Sequence, residues 1–311
     1  MDPQPQYPRE QTHDGEFRRQ KSAFRSWCGP GDDCDHKPEP GRYHLYVSYA
    51  CPWAHRTIIF RKLKRLEDMV GMTVVDPIRD ERGWMFRDGP GHSIDPINGF
   101  QFLSEAYLRT DPNYDKRVTV PVLWDRKAGR IVNNESSEII RILNSSFDDL
   151  VPGTPDFCPP ELREQIDAIN KTVYANVNNG VYRAGFATRQ EAYDSAIERL
   201  FGTLDELEAR LADQRYLVGD RLTEADWRLF TTLVRFDPVY VGHFKCNVRR
   251  IIDYPNLYAY LRDLYQHETV AETVNFDHIK RHYYLTHTNI NPTRIVPAGP
   301  ELDLHTPHGR G

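Results

Sequence analysis

Arg42-Tyr-His-Leu-Tyr-Val-Ser-Tyr-Ala-Cys51-Pro52-Trp53-Ala54-His55-Arg56-Thr-Ile-Ile-Phe-Arg-Lys-Leu-Lys64 reads as a strand, a tight turn and a helix. Tyr43 to Tyr49 mixes aromatics with Leu45 and Val47, as a buried strand does. Pro52 suits the first helical position, where its missing N–H costs nothing, and Ala54, Ile58, Ile59, Leu63 and Leu66 recur at roughly helical spacing. Cys51 is therefore expected at the helix start, beneath unpaired N–H groups and the positive end of the dipole. That setting favours a thiolate, the reactive form of cysteine. Ala54 stands where a Cys-x-x-Cys motif would place its second thiol, so a mixed disulfide formed here needs an external thiol to resolve it. The competing reading is a buried structural cysteine that happens to precede a proline.

Working outward, Met72–Val75 reads as a second strand, and the two strands joined through one helix predict a parallel β-α-β unit. Residues 76–116 read as a long irregular loop, a feature that is often functional, in which Trp84 either plugs the core or covers a ligand. Arg117–Trp124 reads as a strand carrying Pro121; a cis Val120–Pro121 bond would expose the Val120 backbone to an extended peptide. After a turn at Asp125–Arg130, Ile131-Val132 returns and Asn133–Leu143 opens a helix, with Asn134 or Ser136 as its cap. The N–H groups there could hold a carboxylate, and Glu135 beside them could pair with an ammonium. Plain capping is the alternative for Glu135 and Ser136.

Val151–Pro160 reads as a linker, and helical periodicity dominates beyond it. Leu162, Ile166, Ile169 and Val173 form one stripe; Ile197, Leu200, Leu204, Leu207 and Leu211 form another. In Leu222-Thr223-Glu-Ala-Asp226-Trp227, Thr223 caps a helix, Asp226 returns a bond to the Thr223 N–H, and Leu222 staples on Trp227. This is a folding signal and no catalysis is assigned to it. Further helices are expected from Pro255 through Leu264 and from Phe276 to Tyr284, and the tail after Asn291 is expected to fold back through Ile290, Ile295 and Val296. The first forty residues lack periodicity, with Phe17, Phe24 and Trp27 as possible anchors.

The 311 residues allow about two domains, and 39% hydrophobic and 27% charged residues suit a globular chain. A formal net charge of −5 gives no sign of a nucleic-acid partner, and no run approaches the length of a membrane span. Five cysteines, too few and odd in number for a disulfide scaffold, point to a reducing, cytoplasmic setting. Cys28, Cys34 and His36 invite a zinc reading, but their spacing matches no common site and no metal is expected.

A β-α-β unit, a proline-bearing strand, a hairpin return and a helix, followed by an all-helical region, resemble the glutathione transferase superfamily. The implied fold is α/β plus all-α: a thioredoxin-like N-terminal domain, then an all-helical C-terminal domain. The implied divisions are an extension over 1–40, a glutathione-binding domain over 41–150 with its loop at 76–116, a helical domain over 151–288 and a tail over 289–311. Cys51-Pro-Trp-Ala54 resembles the cysteine-using omega and xi groups. The closer resemblance is to the xi group, the glutathionyl-hydroquinone reductases. It runs through Ser48–Arg56, Arg117–Pro121, Asn134–Ser136, Asn178–Ala187, Phe236–Cys246, His278–Tyr283 and Asn291-Pro292. The resemblance implies Cys51 as nucleophile, Tyr182 as proton donor or acceptor towards a quinol oxygen, and Tyr240 and Tyr283 near Cys51, favouring its thiolate. It implies Trp84, Arg117, Val118, Glu135 and Ser136 as holders of glutathione, the co-substrate. The implied partners are a glutathionylated aromatic compound and a second copy of the chain in a homodimer. The rival is an omega-like thiol transferase, dehydroascorbate reductase or general deglutathionylase.

Overall fold

The computed structural model describes residues 10–29 and 34–311, so parts of the expected N-terminal extension (1–9 and 30–33) lie outside the described residues. The chain divides into two compact units. A sheet unit comprises Lys21–Asp156 and Glu272–His282; a helical unit comprises residues up to Gln20, Phe157–Ala271 and Tyr283–Gly311. The break at 156/157 falls within the expected linker, but the extension is shared between the units and Glu272–His282 joins the sheet unit from far along the chain.

In the sheet unit, strands β1 (Tyr43–Val47), β2 (Val70–Val74), β3 (Val122–Asp125) and β4 (Arg130–Asn133) lie in the order β2-β1-β3-β4. β1 runs parallel to β2, with Tyr43 opposite Val70 and Val47 opposite Val74, and antiparallel to β3. Every side chain of β1 is buried, as befits an inner strand covered on both faces. Helix α1 (Pro52–Leu63) connects β1 to β2, with Pro52 in its first turn and Arg61 and Lys62 in its last, where cations meet the negative end of the dipole. The expected strand over 117–124 begins only at Val122, after the cis Val120–Pro121 bond, because the residues before the proline do not pair in the ladder.

The segment expected to be irregular over 76–116 is so only in part. Leu103–Thr110 forms helix α2: Glu105 accepts the N–H groups of Gln101 and Phe102 at 2.8 Å, and Leu103, Ala106 and Tyr107 bury one face. The extension is likewise more ordered than its composition implies. Ser26 N–H donates to Val132 and Asn134 N–H to Phe24 along β4, and Phe24 packs on the rings of Tyr107 and Tyr114. Trp27 is not an anchor; it is 43% exposed.

The turn after β3 is organised by Asp125, which is fully buried. Its carboxylate accepts from Arg42 Nη2 at 2.6 Å, His36 Nδ1 at 2.8 Å, and the N–H groups of Lys127 and Ala128. Burial pulls this carboxyl upward, but the Arg42, Ala128 and His36 hydrogen bonds together bring it from 3.8 to about 2. A depressed folded value means stability present above the ordinary carboxyl range and lost as pH falls through the folded value, here about 2 kcal/mol. The stability margin of wild type over Asp125→Asn, read from urea unfolding, is expected to shrink as pH falls from about 5 towards about 2. A margin independent of pH would refute this.

The helical unit contains α4 (Arg163–Thr172), α5 (Gly180–Gly185), α6 (Gln190–Asp213), α7 (Glu224–Arg235) and α8 (Pro255–Gln266). Helix α9 (Phe276–Thr286) begins in the sheet unit and contributes to the helical unit from Tyr283. Ile166, Val173, Leu200, Leu204, Leu207 and Leu211 are buried, as the two stripes predict. Thr223 and Asp226 form the expected capping box at the start of α7. The tail folds back on this unit, but through other residues: Ile295 is 67% exposed, whereas Leu304 is buried and Arg310 donates to the carbonyls of Leu211, Gln214 and Arg215 at the end of α6. Among the described residues no helix is long and apolar enough to cross a membrane.

Candidate active site

Cys51 is the last extended residue before α1, with φ −80° and ψ 120°, and its N–H donates to Ser48 at 3.2 Å to close the turn. Its Sγ lies 3.6 Å from the Val120 carbonyl oxygen, beside the cis proline. All five cysteines are free thiols; Cys51 and Cys34 are partly exposed, and Cys28, Cys158 and Cys246 are buried. Burial pushes the Cys28 thiol up to about 11 and pushes Cys246 up as well. A buried structural role thus suits those residues rather than Cys51. Cys51 occupies the cap position of α1, where the positive end of the helix dipole lies, and its side chain makes no capping hydrogen bond.

At the start of α3 (Ser136–Ser145) the cap is Glu135, not Asn134 or Ser136. One Glu135 oxygen accepts from Ser137 N at 3.1 Å and Ser137 Oγ at 2.8 Å; the other accepts from Ser22 Oγ at 2.9 Å. Asn134 is engaged elsewhere, accepting from Phe24 N and donating to Tyr107 Oη. Burial raises the Glu135 carboxyl, but the Ser137 and Ser22 hydrogen bonds and the charge of Arg56 leave it below its ordinary value. The result is a half-buried carboxylate beside helix N–H groups, able to take the ammonium and carboxylate of an α-amino acid. Arg56 completes this corner and was missed in the sequence. It is 1% exposed, donates to Ser136 Oγ at 3.4 Å and lies 4.6 Å over the Trp53 ring. Its signal was a charge in the first half of α1, just ahead of the apolar run Ile58–Phe60.

Trp84 is 5% exposed and stacks on His282 at 5.0 Å and 18°, with the Arg79 guanidinium 5.5 Å from its ring. His282 Nδ1 bonds the Pro77 carbonyl at 2.6 Å and His278 Nε2 the Pro90 carbonyl at 2.7 Å, so the first turns of α9 hold the loop that carries Trp84. Burial and the neighbouring charge of Arg117 both lower Arg79, which marks a locally cationic patch around Trp84. Arg117 and Val118 are half-buried in the approach to the cis proline, where Tyr114 donates to the Arg117 carbonyl and Tyr107 to that of Thr119, each at 2.7 Å.

In the helical unit, Tyr182 on α5, Tyr240 and Tyr283 form a chain of hydroxyls: Tyr182 to Tyr283 is 2.6 Å and Tyr240 to Tyr283 is 3.1 Å. Two π-type turns, Val173–Asn178 before α5 and Phe236–Tyr240 after α7, flank or contain Tyr182 and Tyr240, and Tyr283 lies on α9. Burial holds the Tyr240 and Tyr283 phenols well above their ordinary value, so both keep their protons. Phe244 stacks on Tyr240 at 5.5 Å and 6°, and a Cβ at Gly185 would lie 2.2 Å from the Phe244 ring, so this packing requires glycine. The trio was singled out by resemblance; Phe186, Phe244 and Gly185 around it were not. The structure thus groups the expected residues in two sets, with Cys51, Trp84, Arg117, Val118, Glu135 and Ser136 in the sheet unit and the three tyrosines in the helical unit. Among the described residues no group of three or more His, Cys, Asp or Glu could hold a metal ion. Cys34 Sγ instead contacts the carbonyls of Trp27 and His36.

Residues 50–146 match the model of the glutathione S-transferase N-terminal domain and residues 190–263 that of the C-terminal domain. The chain is 55% identical to the glutathionyl-hydroquinone reductase YqjG of Escherichia coli K12 over 303 residues, 95% of this chain and 92% of that protein. It is also 55% identical to the glutathionyl-hydroquinone reductase PcpF of Sphingobium chlorophenolicum, over 93% of this chain and 91% of that one. Its fold is similar to the crystal structure of the xi glutathione S-transferase of Phanerochaete chrysosporium, with a TM-score of 0.91 and 54% identity over 93% of this chain and 94% of that one.

Proposed function

Because the chain belongs to the glutathione transferase family, in its xi class, we propose that it is a glutathionyl-hydroquinone reductase working through one cysteine. The observation that carries this reading is Cys51, a partly exposed thiol at the start of α1, with Ala54 in the place of a resolving thiol. Glutathione fits the residues of the sheet unit. Glu135 offers a carboxylate for its ammonium, Ser136 and the N–H groups of α3 suit its α-carboxylate, Val118 backbone pairing suits its extended middle, and Arg117 and Trp84 provide a cationic and aromatic surface.

The Cys51 thiolate attacks the sulfur of the glutathionyl-hydroquinone. An S–S bond forms, the carbon–sulfur bond breaks, and its electron pair stays on the ring carbon, which takes a proton from Tyr182. A second glutathione returns a proton to Tyr182, and its sulfur attacks the mixed disulfide, releasing oxidised glutathione and the Cys51 thiolate. Ring carbon is reduced and two glutathione sulfurs are oxidised, so no metal is needed. Free thiols at all five cysteines suit the reducing conditions of the cytoplasm, and a homodimer is the assembly that the family resemblance favours.

The test pits a glutathionyl-hydroquinone against dehydroascorbate. The expected result is a kcat/KM at least about 100-fold higher for the aromatic substrate, because only a flat ring gains stacking from the aromatic residues around Tyr182. Equal or reversed preference would favour the omega-like alternative.

A further inference from the structure

The N-terminal segment carries a cation to the tyrosine chain. The guanidinium of Arg19 lies 4.8 Å from the centroid of the Tyr182 ring, and its Nε donates to Asn179 Oδ1 at 3.2 Å. This placement is built, not incidental. Glu10 is 1% exposed and accepts the Gln20 N–H at 3.1 Å, so the backbone is tied just past Arg19. Phe17 is buried against Phe186 at 5.2 Å, and Thr188 N–H donates to the Gly15 carbonyl at 3.1 Å. At Gly15, with φ +80°, a Cβ would lie 2.8 Å from Arg189 Cγ, so the turn that aims the segment requires glycine.

We propose that Arg19 is a positioning residue of the reductase reaction, stabilising the Tyr182 phenolate that forms when Tyr182 gives its proton to the ring carbon. This rests on the proton-donor reading of Tyr182. A guanidinium over a ring is attracted far more by a phenolate than by a neutral phenol, so its effect is larger after proton transfer than before. Charged or titratable groups around Tyr182 and Arg19 include the hydroxyls of Tyr283 and Tyr240, whose phenols feel the charge of Arg235, the buried Glu10 carboxylate on the Gln20 N–H, His287 and His243, whose rings pack on Tyr283, and Arg183, which pairs with Glu16 at 3.5 Å.

The test compares wild type, Arg19→Met, Arg19→Lys and Tyr182→Phe as full-length chains. The readout is the single-turnover rate of hydroquinone release from a glutathionyl-hydroquinone, across pH. Arg19→Met is expected to slow release about tenfold with little change in half-saturating substrate, and to move the alkaline limb to higher pH, because a phenol without its cation holds its proton longer. Arg19→Lys is expected to restore most of the rate. An unmoved limb, a loss confined to substrate affinity, or a loss that lysine does not restore would overturn the inference. Tyr182→Phe separates the two ideas: if its rate and limb match wild type, the proton-donor reading falls; if it is slow and Arg19→Met is not, Arg19 alone is excluded.

Discussion

Replacing Cys51 with serine is expected to lower the turnover of glutathionyl-hydroquinone by about a thousandfold or more, with the fold intact. Serine nearly preserves the shape of the side chain, and the Cys51 side chain makes no capping bond at the start of α1, so stability is expected to stay within about 0.5 kcal/mol of wild type. The chemistry, however, has no substitute. A hydroxyl is a far poorer nucleophile at neutral pH and cannot form a disulfide. Nor can a neighbouring thiol take over: Cys28, Cys158 and Cys246 are buried, and Cys34 is engaged with the backbone carbonyls of Trp27 and His36. Mass spectrometry adds a second readout. Wild type incubated with oxidised glutathione is expected to gain one glutathione on Cys51, and Cys51→Ser none there. Glutathione affinity is expected to change only a few-fold, because Glu135, Ser136, Arg117 and Trp84 remain. Retained turnover would sink the one-cysteine mechanism. Strong conjugation of glutathione to electrophiles by wild type, with no adduct on Cys51, would instead favour a conjugating transferase.

The parts of this fold that could be read in the sequence are those encoded by near neighbours. The strand, proline and apolar spacing of β1 and α1 lie within one short stretch, and the capping box of α7 is spelled out between Thr223 and Asp226. Helix α2 was obscured because it is only eight residues long and follows a run rich in glycine and proline. Plain capping by Glu135 was one of the two readings open from the sequence, but glutamate is an uncommon cap, and Ser22, distant in sequence, supplies part of what holds it there. The same lesson applies to α9. Its sequence announces a helix, but its docking depends on His278 and His282 meeting the carbonyls of Pro90 and Pro77, and no local pattern records those pairings. Candidate chemistry followed this division. The position of Cys51 was legible from its turn, whereas the hydroxyl chain of Tyr182, Tyr283 and Tyr240 exists only once three separate segments meet.

The largest stability effect is expected at Asp226, a residue with no proposed part in catalysis. Its carboxylate is fully buried and gathers four donors. One oxygen accepts from Leu217 N at 2.9 Å and Tyr260 Oη at 2.8 Å; the other accepts from Thr223 N at 2.8 Å and Thr223 Oγ1 at 3.2 Å. It therefore ties together the loop before α7, the first turn of α7 and the middle of α8. Asp226→Ala removes the acceptor of two buried N–H groups and two buried hydroxyls, each costing about 1–3 kcal/mol when left unpaired, and leaves a small void. The sum is not additive, but about 4 kcal/mol is expected, a large share of the stability of an ordinary domain. Asp226→Asn keeps one acceptor oxygen but turns an amide N–H₂ towards the other donors, so an intermediate loss of about 2 kcal/mol is expected. Thr223→Ala removes the Ala225 N–H acceptor and one donor to Asp226 while leaving the carboxylate in place, so it should cost about 1 kcal/mol. Urea unfolding of the three variants gives the ordering, and Thr223→Ala and Asp226→Asn remain measurable if Asp226→Ala fails to fold. Thr223→Ala costing more than Asp226→Asn would mean that the cap, not the buried carboxylate, holds these segments together.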